Sequence, residues 1–265
     1  MSERGHKTTA GGREGVFHTT HWTEIFEARS EDEPRRQAAL EELLGSYWKP
    51  VYCWLRRKGH PQEEAKDLTQ GFFHEVVLRH GLIRQADSAK GRFRTFLLTA
   101  LEHYAVSVHR AERAKQRTPD GGLIRLEGID GLNVPEPAQC GSPEEAFDYA
   151  WASALLDEVL TEVAEECHRR GKETHWEIFQ ERVLKPIMDN AEPPSLPDLC
   201  RKCGIPNEAR VSKMTIAVKR RFRGTLRRRV RQFVDSDAEV EDEIHYLMRI
   251  FSERSGRSGQ ALRIF

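Results

Sequence analysis

Between residues 33 and 58 apolar side chains return every three or four positions. Leu40, Leu43, Leu44, Tyr47, Trp48, Val51, Tyr52 and Leu55 follow the i, i+3, i+4, i+7 spacing that lines one side of an α-helix. Pro50 sits inside that stripe. It lacks an amide hydrogen and crowds the preceding turn, which predicts a kink near Lys49 rather than an end. Gly59, His60 and Pro61 then make a turn, and a second helix is expected from about Gln62, with Ala65, Leu68, Phe72, Val76 and Val77 facing inward. The polar loop 85–92 breaks the period. A third stripe follows: Phe93, Phe96, Leu97, Ala100, Leu101, Tyr104, Ala105 and Val108, ending in the basic run 110–117. Three helices with matching aromatic stripes predict one compact all-α module.

Gly and Pro punctuate the chain from Thr118 to Pro143 and no stripe survives there, so a flexible linker is expected. Helix signals resume at Ser142, where Ser-Pro-Glu-Glu offers an N-cap, a proline in the first turn and two acids. This helix is expected to bury Phe147, Trp151, Leu155, Val159, Val163 and Cys167, and another to bury Trp176, Phe179, Val183 and Ile187. A loop at 191–197 leads into a short helix at 198–205 closed by Gly204, and a long helix starts after Pro206. Its stripe is Val211, Thr215, Val218, Phe222 and Leu226. Short helix, glycine turn, long basic helix is the pattern of a helix-turn-helix. A last small stripe, Ile244, Leu247, Met248 and Phe251, lies near the C-terminus. The expected fold is therefore all-α, with two small helical modules on a tether. The boundaries fall at 1–35 (a partly disordered extension), 36–116, 117–143 (the linker), 144–234 and 235–265 (an acidic extension).

Charge changes the picture. Lysines and arginines equal the acids over the whole chain, yet residues 201–231 hold twelve basic residues against one acid, Glu208. Such a density repels itself unless neutralised, and nucleic acid is the usual polyanion. Off the stripe and early in the long helix, Asn207, Glu208, Arg210, Ser212 and Lys213 are of types that reach base edges. Lys219, Arg220 and Arg223 suit phosphates. The cations from Arg227 to Arg231 fit a solvated surface equally well. On the third helix Arg92, Arg94, Arg110 and Arg113 flank His103 and Ser107 among aromatic residues, a mixture suited to single-stranded nucleic acid. Beyond Val234 the sign flips (Asp235, Asp237, Glu239, Glu241, Asp242, Glu243), and two readings stay open for this tail: a solvated capping helix, or a screen for the basic helix when no nucleic acid is bound.

Other chemistry is poorly supported. The five cysteines are an odd number without framework spacing, which fits a reducing cytosol. Cys200 and Cys203, with Cys167 and His168, are the best zinc set, but the second half-site of a structural zinc is missing, so no metal is expected. There is no phosphate-cradling glycine loop and no nucleophile triad, so no catalytic residue and no cofactor is assigned, and an enzyme is not expected. Apolar runs are too short for a membrane span, and the polar N-terminus is not a secretory signal. The expected location is the cytoplasm.

Taken together, the motifs resemble the sigma-70 family, specifically the extracytoplasmic-function (ECF) sigma factors that retain only regions 2 and 4. Asp-Leu-Thr-Gln-Gly-Phe-Phe (67–73) is similar to the family's polymerase-docking motif. Residues 91–104 are similar to the segment that melts and reads the −10 element, and 198–233 to the helix-turn-helix that reads the −35 element. The likeness covers about 36–115 and 148–233. It implies a non-enzymatic initiation factor that binds core RNA polymerase through Asp67, Gln70 and Phe73. It also implies promoter DNA bound through the basic sets named above, with an anti-sigma factor as a candidate further partner. Where the family's melting segment carries Trp, Asn and Asp, this chain has Phe96, His103 and Ser107, so the −10 preference does not transfer. Two other readings stay open: a stand-alone helix-turn-helix regulator, which leaves 67–73 unexplained, and a zinc-dependent nucleic-acid-processing protein.

Overall fold

The computed structural model describes residues 27–75, 81–86, 92–115, 141–188, 191–231, 234 and 237–254. The N-terminal segment with Trp22, Ile25 and Phe26, residues 116–140 of the linker, Val76 and Val77 lie outside them. The described residues are helical, with turns and no strand. In chain order the helices are α1 (Glu33–Arg57), α2 (Gln62–Phe72), α3 (Leu82–Gln85), α4 (Phe93–Lys115), α5 (Pro143–Arg169), α6 (Glu173–Phe179), α7 (Lys185–Met188), α8 (Leu196–Cys203), α9 (Glu208–Arg231) and α10 (Asp237–Arg254). A π-helical turn, Gln180–Leu184, joins α6 to α7 where the sequence suggested one helix.

The ends of these helices are set by local chemistry. α1 begins with a proline in its first turn and runs through Pro50; it ends on Arg56 and Arg57 just before Gly59, whose φ of 104° few other residues adopt. α5 opens with a complete capping box. Ser142 Oγ accepts from the Glu145 amide at 3.1 Å, and the Glu145 carboxylate accepts from the Ser142 amide at 3.3 Å. Such a cap contributes about 1 kcal/mol.

The two expected modules do not keep separate cores. In α1, Val51, Tyr52, Cys53, Trp54 and Leu55 are all buried, and five consecutive helical residues point in every direction around the axis. A helix that is apolar all round needs cover on every side. α2 supplies one side, and α5, from the other half of the chain, supplies the largest contact. Tyr47 of α1 stands edge-on to Phe93 of α4 (ring centroids 5.5 Å apart) and stacks on Phe147 of α5 (6.4 Å). The Trp54 indole donates to the Glu144 carboxylate at 3.4 Å, and Arg57 donates to the Gly141 carbonyl at 2.8 Å. One continuous core therefore runs from α1 through α5 to α9 and α10. A small satellite core of Ile178, Leu199, Ile205 and Val211 sits under α8 and the start of α9.

Candidate nucleic-acid interface

The α8–α9 pair is built as its sequence suggests. Ser195 caps α8, accepting from the Asp198 amide at 3.3 Å. Gly204 closes the helix in the left-handed region, φ 64°, and the Ile205 amide returns to the Cys200 carbonyl at 2.9 Å. Asn207 then caps α9, its Oδ1 accepting from the Arg210 amide at 2.9 Å. That oxygen serves the helix end, and Asn207 itself is exposed at the start of α9.

The buried stripe of α9 (Val211, Thr215, Val218, Phe222, Leu226) fixes the helix's rotation. At about 100° per residue, Lys213 and Arg220 fall opposite it and Arg223 close by. All three are exposed; Glu208 and Arg210 are exposed too, while Ser212 and Lys219 are half-buried on the flank. The cations of α9 divide into two groups. In its last turns Arg227 pairs with Glu241 at 2.6 Å, and Arg229 with Glu162 at 3.2 Å and Glu158 at 3.7 Å. Arg228 pairs with Glu162 and Arg231 with Asp237. Acids from α5 and α10 thus meet the charge that had seemed to call for a polyanion or for solvent. Nearer the N-terminus, Arg210, Lys213 and Arg220 have no acidic partner among the described residues. The field of Arg210 is felt locally: partial burial, then Lys172, Arg210 and Arg221, hold His175 below its ordinary range.

The candidate set on α4 splits. His103, Ser107 and Arg110 are exposed along one line, at i, i+4 and i+7, with the Ser107 hydroxyl donating to the Tyr104 carbonyl at 2.7 Å. The side chain of Arg113 lies outside the described residues. Arg94 turns the other way, into the protein, and Arg92 lies beside it with its side chain 40% exposed. Glu243 of α10, 0% exposed, accepts from both, at 2.9 Å from Arg92 and more closely from Arg94. Arg94 also lies between the rings of Trp151 (4.5 Å) and Tyr246 (4.6 Å), with Asp148 at 3.8 Å. Burial alone would pull its guanidinium down, but Glu243 and Asp148 outweigh that and hold it above its ordinary range. Arg94 is therefore a structural cation and not a nucleic-acid contact in this arrangement. A carboxylate on an inward stripe (Val240, Glu243, Ile244, Leu247) was the available signal, and it reads as an acidic tail unless periodicity is traced through it. The tail meets α9, through Asp237 and Glu241, and also the α4–α5 side, through Glu243 and Tyr246.

Of the expected docking residues, Asp67 is exposed and Gln70 half-buried on α2. Phe73 is 3% exposed and packs edge-on against Phe72 at 5.4 Å. The chain takes a π-helical turn at 73–75, and the core accepts both rings, so Phe73 leaves the docking set. The possible zinc ligands are not gathered: the described residues hold no group of three or more His, Cys, Asp or Glu placed for a metal. Cys167 is buried with an Arg221 nitrogen 3.8 Å from its sulfur, and His168 is exposed beside Glu173. Partial burial and Glu177 push the Cys203 thiol up, away from the thiolate a metal needs. No helix among the described residues is long and apolar enough to cross a membrane.

Comparison with known proteins adds no family: no protein-family model, curated protein or solved structure matches this chain.

Proposed function

We propose that the chain binds duplex DNA through α8 and α9 and acts as an initiation factor of the ECF sigma type, bringing core RNA polymerase to a promoter. The observation that carries this reading is the division of charge on α9. Its C-terminal cations are neutralised from within, whereas Arg210, Lys213 and Arg220 are held outward on a helix positioned by a capped glycine turn. A protein needing only a stable surface has no use for that asymmetry; a phosphate backbone does. Polymerase docking falls to Asp67 and Gln70. Contact with an opened strand falls to His103, Ser107 and Arg110, since Arg92 and Arg94 are engaged by Glu243. The internal use of those two arginines favours one rival, a stand-alone helix-turn-helix regulator.

Gel filtration of the full chain with core RNA polymerase separates the two. The sigma reading requires a stable complex that Asp67→Ala with Gln70→Ala weakens while the chain stays folded. A chain that binds duplex DNA but never co-elutes with polymerase is the regulator instead.

A further inference from the structure

We infer that Ile216 is a specificity-determining residue of α9 that contacts the C5-methyl group of a thymine in the major groove. The inference rests on the reading of α9 as a DNA-binding helix and names what that helix selects.

Ile216 is 63% exposed, one of three large apolar side chains so exposed among the described residues, with Val106 and Met188. A single surface isoleucine is ordinary; this one is distinguished by its place. It lies three residues after Lys213 and four before Arg220, so the three share the side of α9 that faces away from Val211, Val218 and Phe222. A β-branched residue there lowers helix propensity relative to lysine or arginine and gains no burial within the chain. The surface is thus cationic with one apolar point at its centre. Lys213 and Arg220 are about 10 Å apart along the axis, at 1.5 Å per residue, comparable with the roughly 12 Å width of the major groove. A helix held to the duplex by those cations brings Ile216 to the base edges, where the prominent apolar group is the thymine methyl. Charge complementarity selects DNA over an apolar protein groove, because docking in such a groove would bury the two cations without partners.

The test uses the full chain at one fixed ionic strength. A duplex is enriched from a random library, and its thymines are replaced singly by deoxyuridine, which keeps every hydrogen-bonding group and loses only the methyl. One replacement should weaken native binding about four-fold, the equivalent of one methyl-sized contact. Ile216→Ala, folded as judged by its unchanged thermal transition, should bind the parent duplex more weakly and be indifferent to that replacement. If deoxyuridine is neutral at every position, or the variant stays as sensitive as the native chain, the inference fails while the reading of α9 stands. If no duplex is enriched, both fall.

Discussion

At the scale of single residues, close approach decides more than charge. Gly71 lies within the 67–73 motif, and a Cβ built there would come 2.3 Å from the Tyr104 hydroxyl oxygen. Tyr104 cannot swing aside cheaply, because its ring is buried and edge-on to Phe72 at 5.6 Å. Gly71→Ala should therefore destabilise the fold by roughly 1–3 kcal/mol, the usual cost of overpacking, although alanine is the better helix former by about 1 kcal/mol. In a Tyr104→Phe background the hydroxyl is gone and the same change should become neutral or stabilising. Urea denaturation of the four chains measures this; an equal effect of Gly71→Ala in both backgrounds would dismiss the clash. A resemblance to a docking motif gave no hint that its glycine makes room for Tyr104, which belongs to another helix. Phe73 is a similar case: adjacent phenylalanines on one wheel diverge by about 100°, so the pattern had one facing out, whereas the core wraps far enough round to take both.

At the scale of helices, limits were legible wherever two signals coincided. A stripe plus a turn fixed α1 (Glu33–Arg57), a stripe plus a capping box fixed the start of α5, and a glycine plus a stripe fixed the end of α8 and the start of α9, whereas α8 begins at Leu196, inside the expected loop. What stayed hidden was the partner of each face. Trp54 falls off the single stripe traced in α1, yet it is buried because α5 lies over that side. The pairs at the end of α9 were hidden likewise, since Glu158, Glu162 and Glu241 come from sequence-distant helices. Arg227–Glu241 and Arg231–Asp237 are solvent-exposed pairs and contribute about 0–1 kcal/mol to stability. Asp237→Asn with Glu241→Gln should leave folding nearly unchanged while freeing two guanidinium groups. Nonspecific DNA binding should then tighten at low salt with a salt dependence steeper by about two phosphates, and the gain should fade as the Debye length falls to ~8 Å. Arg220→Ala should shift the slope the other way, by about one. Identical slopes for all three chains would mean that neither end of α9 meets the duplex.

At the scale of the whole molecule, α10 is a structural member rather than a loose screen. Val240, Ile244 and Leu247 join the main core, Phe251 meets Tyr149 at 5.7 Å, and the Tyr246 hydroxyl donates to Asp148. The contact responds to pH. Burial, then the bond to Asp148, pushes the Tyr246 phenol up to about 12 from its ordinary 10. The unfolded chain therefore loses this proton first, so the contribution is complete below about pH 10 and is lost as pH rises toward 12. Stability measured across that range should fall more steeply for the native chain than for Tyr246→Phe, lysine titration being common to both; parallel curves would remove Tyr246 from the docking of α10. The shared core has a further consequence, for synthesis. Trp54 waits for Glu144, 90 residues downstream, and the apolar-all-round segment 51–55 waits with it. At ~5–20 residues per second that is an interval of roughly 5–20 s. Through it the emerging first half carries a tryptophan-rich helix with one side bare, a substrate for whatever holdase stands at the ribosome exit.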